Sequence, residues 1–128
     1  MRAAFGPAWS AGFRRGAEAE VRGWVEAGLE WCDATDVLAL QHYHRDMEVT
    51  RKPDTTFVTQ ADTGIERMLR DRIAQQFAGH GVLGEEYGDD VGGAATRWII
   101  DPIDGTHNYL RGVPLFATLI AVDRKSVV

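Results

Sequence analysis

The chain has 128 residues, with 14 basic side chains against 19 acidic ones and a formal net charge of −5. That balance argues against a nucleic-acid partner or an anionic membrane surface, and no apolar run approaches the ~20 residues a membrane-spanning helix needs. The length fits one domain or a piece of one, and the single cysteine, Cys32, excludes an internal disulfide and fits a reducing cytoplasm.

Residues 1–17 carry no period. Gly6, Pro7, Gly12 and Gly16 punctuate them, so they are read as an N-terminal extension. They lack the apolar region of a signal peptide, and Arg14-Arg15 comes late. From 18 to 44 a helical pattern runs. Val21, Trp24, Val25, Gly28, Leu29, Cys32, Ala39, Leu40 and Tyr43 fall on one face at three-to-four spacing. Cys32 on that stripe reads as a buried, inert thiol, and the tryptophans read as core. His42 and His44 are two apart, do not share a helix face, and are expected at the surface.

Residues 47–50 alternate as a short strand, and 51–56 form a polar turn. Phe57-Val58-Thr59 leads into a second helix over 60–78, with Ile65, Met68, Leu69, Ile73, Gln76 and Phe77 on its buried side. Thr59 and Asp62 have capping-box spacing, and Gly79-His80-Gly81 ends the helix. A short strand over 82–84 runs into Glu85-Glu86, and 87–96 reads as a loop. A buried strand, Trp98-Ile99-Ile100, is expected to end at Asp101, and a long apolar strand covers 115–122.

The most informative stretch is Asp101-Pro102-Ile103-Asp104-Gly105-Thr106-His107-Asn108-Tyr109. The strand end would fix Asp101. A turn stiffened by Pro102 would bring Asp104 and the Ile103 carbonyl to the same side, giving the hard oxygen ligands that Mg²⁺ prefers. Gly105 lets backbone approach a ligand, and its N–H and that of Thr106 can point at an anion. Asp-Gly alone is a common turn pair, but the nine residues together are not explained as a turn. They resemble the signature D-P-[IL]-D-G-T-x-N-[FY] of the inositol monophosphatase family of Mg²⁺-dependent, Li⁺-sensitive phosphomonoesterases. Three further segments are similar to the family in order and spacing: Lys52-Pro53-Asp54 with Val58-Thr59-Gln60-Ala61-Asp62, then Gly84-Glu85-Glu86, then Gly112-Val113-Pro114.

The resemblance covers residues 18–122 and implies the N-terminal half of a layered α+β sandwich, two helices on a mostly antiparallel sheet. It implies that Glu85, Asp101 and the Ile103 carbonyl hold one Mg²⁺, that Asp101 and Asp104 share a second, and that Glu85 contributes to a third. Gly105 and Thr106 would bind the substrate phosphate, and Asp62 and Thr106 would orient and deprotonate the attacking water. Glu86 and Lys52 are second-tier: Glu86 outside the ligands, Lys52 in a loop near them. Each also has a purely structural reading: Asp62 as a capping carboxylate, Glu85 and Glu86 as a solvated loop, Lys52 as plain surface.

The partner implied is a small-molecule phosphate ester, and family analogy adds a homodimer of the full-length protein. Residues 109–121 look more like the histidinol-phosphatase branch, so histidinol phosphate is the first expectation and inositol 1-phosphate the second. The family's W-D-x-A-A segment, whose Asp completes the second metal site, has no counterpart, because no Trp-Asp pair occurs. The chain is therefore expected to be a truncated half, inactive or very weak alone, and a non-catalytic metal- and anion-binding fragment is the alternative of another class. Residues 123–128 follow a core strand without a turn signal. They match translation of a common sequencing adapter and are expected to be a non-native tail.

Overall fold

A computed structural model of the chain describes residues 15–45, 49–53 and 57–125. Helix α1 (Arg15–His42) is continuous through Gly28. Its packed stripe is Trp24, Ala27, Trp31, Thr35 and Ala39. The expected stripe was partly misplaced: Val25, Leu29 and Leu40 are 42%, 63% and 63% exposed. Aliphatic spacing defined two adjacent helix faces. The packed one is set by two tryptophans separated by a small alanine, which lets the rings reach the sheet. Cys32 is half-buried, not sealed, and burial followed by Asp36 and Asp33 raises its thiol pKa. Thr35 satisfies its buried hydroxyl by donating to the Cys32 carbonyl at 2.9 Å.

Trp31 packs against Trp98 with ring centroids 4.9 Å apart and against Phe77 at 6.0 Å. This cluster joins α1 to the sheet and to helix α2 (Gln60–Gln76), which buries Ala61, Asp62, Ile65, Glu66, Leu69 and Ile73. Thr59 caps α2 with both halves of a capping box in place. Of the expected buried side, Gln76 is exposed, because α2 ends there and the chain turns away through Phe77 to Gly79.

A four-stranded sheet runs in the order β4-β3-β5-β6: β3 (Gly81–Gly84), β4 (Gly88–Asp90), β5 (Thr96–Asp104) and β6 (Ala117–Arg124). Only the β3–β5 pair is parallel. Strands β1 (Val49–Arg51) and β2 (Phe57–Thr59) make a separate antiparallel pair. The expected start of β1 at Met47 and Glu48 lies outside the described residues. The layered α+β arrangement is as the sequence implied.

Two differences bear on the site. Strand β5 does not end at Asp101. It continues to Asp104, and a bulge between them sets three steps of β5 against two of β6, from Asp101↔Leu119 to Asp104↔Ala117. The expected loop over 87–96 contains β4, whose Gly-Asp-Asp sequence has no apolar alternation and pairs by backbone alone. Helix α3 (Thr106–Leu110) follows the bulge, entered through Gly105 at φ 87°. Beyond the expected end of the last strand, Asp123 accepts from Arg97 at 2.9 Å and Arg124 pairs with Glu20 of α1. Residues 126–128 lie outside the described residues. Among the described residues no helix is long and apolar enough to cross a membrane.

Candidate functional site

Four parts of the chain converge at one end of the sheet. Strand β5 carries Asp101 and Asp104 on either side of the bulge. The β3–β4 turn carries Glu85 and Glu86, the first turn of α2 carries Asp62, and Lys52 follows β1. The bulge matters because a regular strand would point residues three apart to opposite faces. The extra residue brings Asp104 within electrostatic reach of Asp101.

Burial pushes the Asp101 carboxyl up from its ordinary 3.8 to about 6, and the facing carboxylates of Glu85, Asp104, Asp62 and Glu86 push the same way. Every one of these causes favours the protonated form, so the facing carboxylates repel one another. Such a donor set fits a hard divalent cation. Among the described residues no three acidic, histidine or cysteine side chains stand close enough to hold an ion as they are. The side chains of Glu85 and Asp104 are exposed and free to turn toward a shared ion. Ile103 is buried; its carbonyl accepts from the Thr106 hydroxyl at 3.0 Å and keeps a second lone pair.

Asp62 has two jobs, one on each oxygen. Its Oδ2 accepts from the Thr59 N–H at 2.8 Å and from the Thr59 hydroxyl at 2.5 Å. Its Oδ1 faces the Thr106 hydroxyl at 3.5 Å. The capping reading and the site reading therefore both describe the same carboxylate. Burial raises the Asp62 pKa against the Thr59 hydrogen bonds and the Lys52 charge, which lower it. That direction suits a proton acceptor working near neutrality.

Lys52 is not plain surface. Its Nζ lies 2.8 Å from Glu86, 34 residues away in sequence, with the Glu86 side chain 7% exposed. Burial pulls Lys52 down, but the hydrogen bond and charge of Glu86 outweigh it and raise its pKa. Glu86 is raised too, because burial and the carboxylates of Asp62 and Glu66 outweigh Lys52.

Gly105 is required twice over. Its φ of 87° suits glycine, and a Cβ there would sit 2.9 Å from the Leu115 carbonyl oxygen. Behind it, Asn108 donates to that same carbonyl at 3.0 Å, and Val113 N–H donates to the Asn108 carbonyl at 2.9 Å. The segment holding Gly112, Val113 and Pro114 is thereby folded back onto α3. Tyr109 anchors α3 to α1 through its hydroxyl, which donates to the Ala39 carbonyl at 2.6 Å.

One residue at the site was missed. Glu66 is fully buried and accepts the backbone N–H groups of Glu86 and Tyr87. In the sequence, Glu66 and Arg70 look like an exposed helix ion pair four apart. The available signal was that Glu66 adjoins Ile65 and follows Asp62 by four, on the face turned inward.

Among proteins of known name, the chain is 38% identical over 100 residues to the histidinol-phosphatase of Chlorobaculum parvum, covering 77% of this chain and 39% of that protein. It is 47% identical over 77 residues to the histidinol-phosphatase of Mycobacterium tuberculosis, covering 60% and 30%. It is 40% identical over 83 residues to the inositol-1-monophosphatase of Rhizobium meliloti, covering 63% and 31%. The chain thus spans about two-fifths or less of these relatives' length. Among solved structures, the extragenic suppressor protein suhB of Bartonella henselae superposes with a TM-score of 0.74 at 26% identity, over 80% of this chain and 41% of that one. The inositol monophosphatase family model matches residues 23–128, a span that takes in every residue of the site. By that match, the chain belongs to the inositol monophosphatase family.

Proposed function

We propose that this chain is the metal- and phosphate-binding half of a Mg²⁺-dependent phosphomonoesterase acting on histidinol phosphate. The observation that supports this reading is the convergence of Glu85, Asp104, Asp62 and Glu86 on the Asp101 carboxyl, raised to about 6 by burial and like charge, with the Thr106 hydroxyl 3.5 Å from Asp62. Glu85, Asp101, Asp104 and the Ile103 carbonyl would hold Mg²⁺. Bound there, the ion supplies neutralisation of the carboxylates and phosphate and a lowered pKa for the attacking water.

The chain's own groups supply the rest. Thr106 Oγ1 accepts a proton from the water as its own passes to Asp62 Oδ1. The 3.5 Å between them would tighten once substrate is seated. The N–H groups of Gly105 and Thr106, at the start of α3, would donate to the phosphate oxygens. Lys52 pairs with Glu86 and offsets part of the negative charge of the cluster. Water attacks phosphorus, the P–O bond to the alcohol breaks, the departing alkoxide takes a proton from solvent, and inorganic phosphate and histidinol leave. Most of the acceleration comes from positioning and charge stabilisation.

The histidinol-phosphate assignment draws on residues 109–121 and on the relatives named histidinol-phosphatase. The Rhizobium relative supports inositol 1-phosphate as the second reading. No Trp-Asp pair occurs in this sequence, so the 128-residue chain alone should bind Mg²⁺ and phosphate with little or no turnover. We place the protein in the cytoplasm, where the free thiol of Cys32 stays reduced, and the full-length protein in a homodimer by family analogy.

The test is turnover of histidinol phosphate and inositol 1-phosphate by the full-length enzyme, with and without Asp104→Asn. A higher kcat/KM for histidinol phosphate, lost in the variant, is the expected result. Preference for inositol 1-phosphate would overturn the substrate, and undiminished Mg²⁺-dependent turnover by Asp104→Asn would overturn the metal assignment.

A further inference from the structure

Glu66 is a buried charged side chain that the steps above do not use. It lies on α2 one turn beyond Asp62 and is 0% exposed. Its Oε2 accepts the Glu86 N–H at 2.7 Å, and its Oε1 accepts the Tyr87 N–H at 3.0 Å and the Arg70 Nε at 3.0 Å. Arg70 also donates to the Gly88 carbonyl. The turn between β3 and β4 is thus gripped from below along three consecutive residues by one ion pair. The Glu85 N–H is held separately, by the Ile100 carbonyl at 3.3 Å, the residue before Asp101.

The fit leaves no slack. A Cβ at Gly84 would lie 1.9 Å from Glu66 Oε1 and 2.4 Å from its Cδ, so only glycine admits the carboxylate beneath the turn. Placing a charge in the interior is costly, and turns of this size are ordinarily held by backbone and water. Here a carboxylate with two charge-assisted hydrogen bonds fixes the one segment that carries Glu85 and Glu86. Two successive turns of α2 therefore face the site: Asp62 faces Thr106, and Glu66 holds the turn through Glu86 and Tyr87, next to Glu85.

We propose that Glu66 is a positioning residue that sets cation affinity by clamping the Glu85–Glu86 turn. This rests on the reading of Glu85 as a cation ligand. With the turn fixed, Glu85 loses little backbone freedom when it meets the ion; with the turn loose, that ordering weakens binding. Glu66→Gln keeps the shape but replaces one acceptor oxygen with an NH₂ donor facing an amide donor, so one turn hydrogen bond is lost.

The experiment combines amide hydrogen exchange on the wild-type chain with Mg²⁺ titration by calorimetry on wild type, Glu66→Gln and Ile65→Val. Ile65→Val lowers the melting temperature from the neighbouring position without touching the turn, and so controls for stability alone. The Glu86 and Tyr87 amides should exchange at least 100-fold more slowly than unstructured amides. Glu66→Gln should bind Mg²⁺ at least tenfold more weakly than wild type, while Ile65→Val binds as wild type does. Unprotected amides in the wild type would overturn the clamp even if Glu66→Gln failed to fold. Equal Mg²⁺ affinity in wild type and Glu66→Gln would overturn its role in binding. Protected amides in a wild type that binds no Mg²⁺ would leave the clamp standing as a turn anchor, overturn its link to cation binding, and remove the metal assignment beneath it.

Discussion

Asp101→Asn should stabilise the metal-free chain at neutral pH while abolishing its response to Mg²⁺. The Asp101 carboxyl stands at about 6 when folded against an ordinary 3.8, a shift of about two units. At 1.36 kcal/mol per unit that is about 3 kcal/mol as a ceiling. Asp101 is only partly buried, and solvent screens the facing carboxylates, so ~1 kcal/mol is the expected effect. The sign follows from the proton. A raised folded pKa means the folded state holds the proton more tightly, so Asp101's contribution to stability is fully present below pH 3.8 and lost as pH rises through about 6.

Asparagine carries no charge at any of these pH values. Without divalent cations, the variant should match wild type at pH 4 and exceed it at pH 8 by ~1 kcal/mol, or roughly 4 °C in melting temperature. Urea melts at the two pH values with chelator present measure this. Saturating Mg²⁺ should then raise the wild-type melt and leave that of Asp101→Asn unmoved. Destabilisation at pH 8, or the same change at both pH values, would refute the claim that like charge and burial at this carboxyl oppose folding until a cation arrives.

Four further variants have expected outcomes. Trp31→Ala removes a side chain that is 1% exposed and touches both Trp98 and Phe77, and should cost about 3–5 kcal/mol. Leu29→Ala, on the exposed face, should stay within ~0.5 kcal/mol by denaturant melts. Thr59→Val deletes the hydroxyl of the capping box and should cost ~1 kcal/mol. It should also raise the Asp62 pKa further, since the Thr59 hydrogen bond lowers it, which carboxyl titration by NMR reads directly. Gly105→Ala meets both a φ of 87° and the Leu115 carbonyl, and should lower stability by at least ~1 kcal/mol, with loss of phosphate binding by calorimetry.

Two helices and most strands were legible in the sequence because hydrophobic period, the Thr59–Asp62 cap and the glycine stops are local signals, while the mostly antiparallel sheet was implied by the family likeness. Residues 101–109 stood out as a candidate site because turn geometry and hard-oxygen chemistry are written within nine positions. The family likeness of four ordered segments then placed Asp62, Glu85 and Lys52 beside them. What local pattern could not reach was decided by packing across the chain. Which face of α1 is buried depended on where Trp31 meets Trp98, not on aliphatic spacing. Strand β4 has no apolar alternation and exists because β3 offers it a backbone edge. The continuation of β5 through a bulge needed β6 as its ruler. Glu66, an ordinary surface glutamate by its neighbours in sequence, became an interior carboxylate only when the β3–β4 turn came to rest on it. Periodicity reports which residues share a face; only tertiary contact, with its desolvation and charge, determines what that face meets.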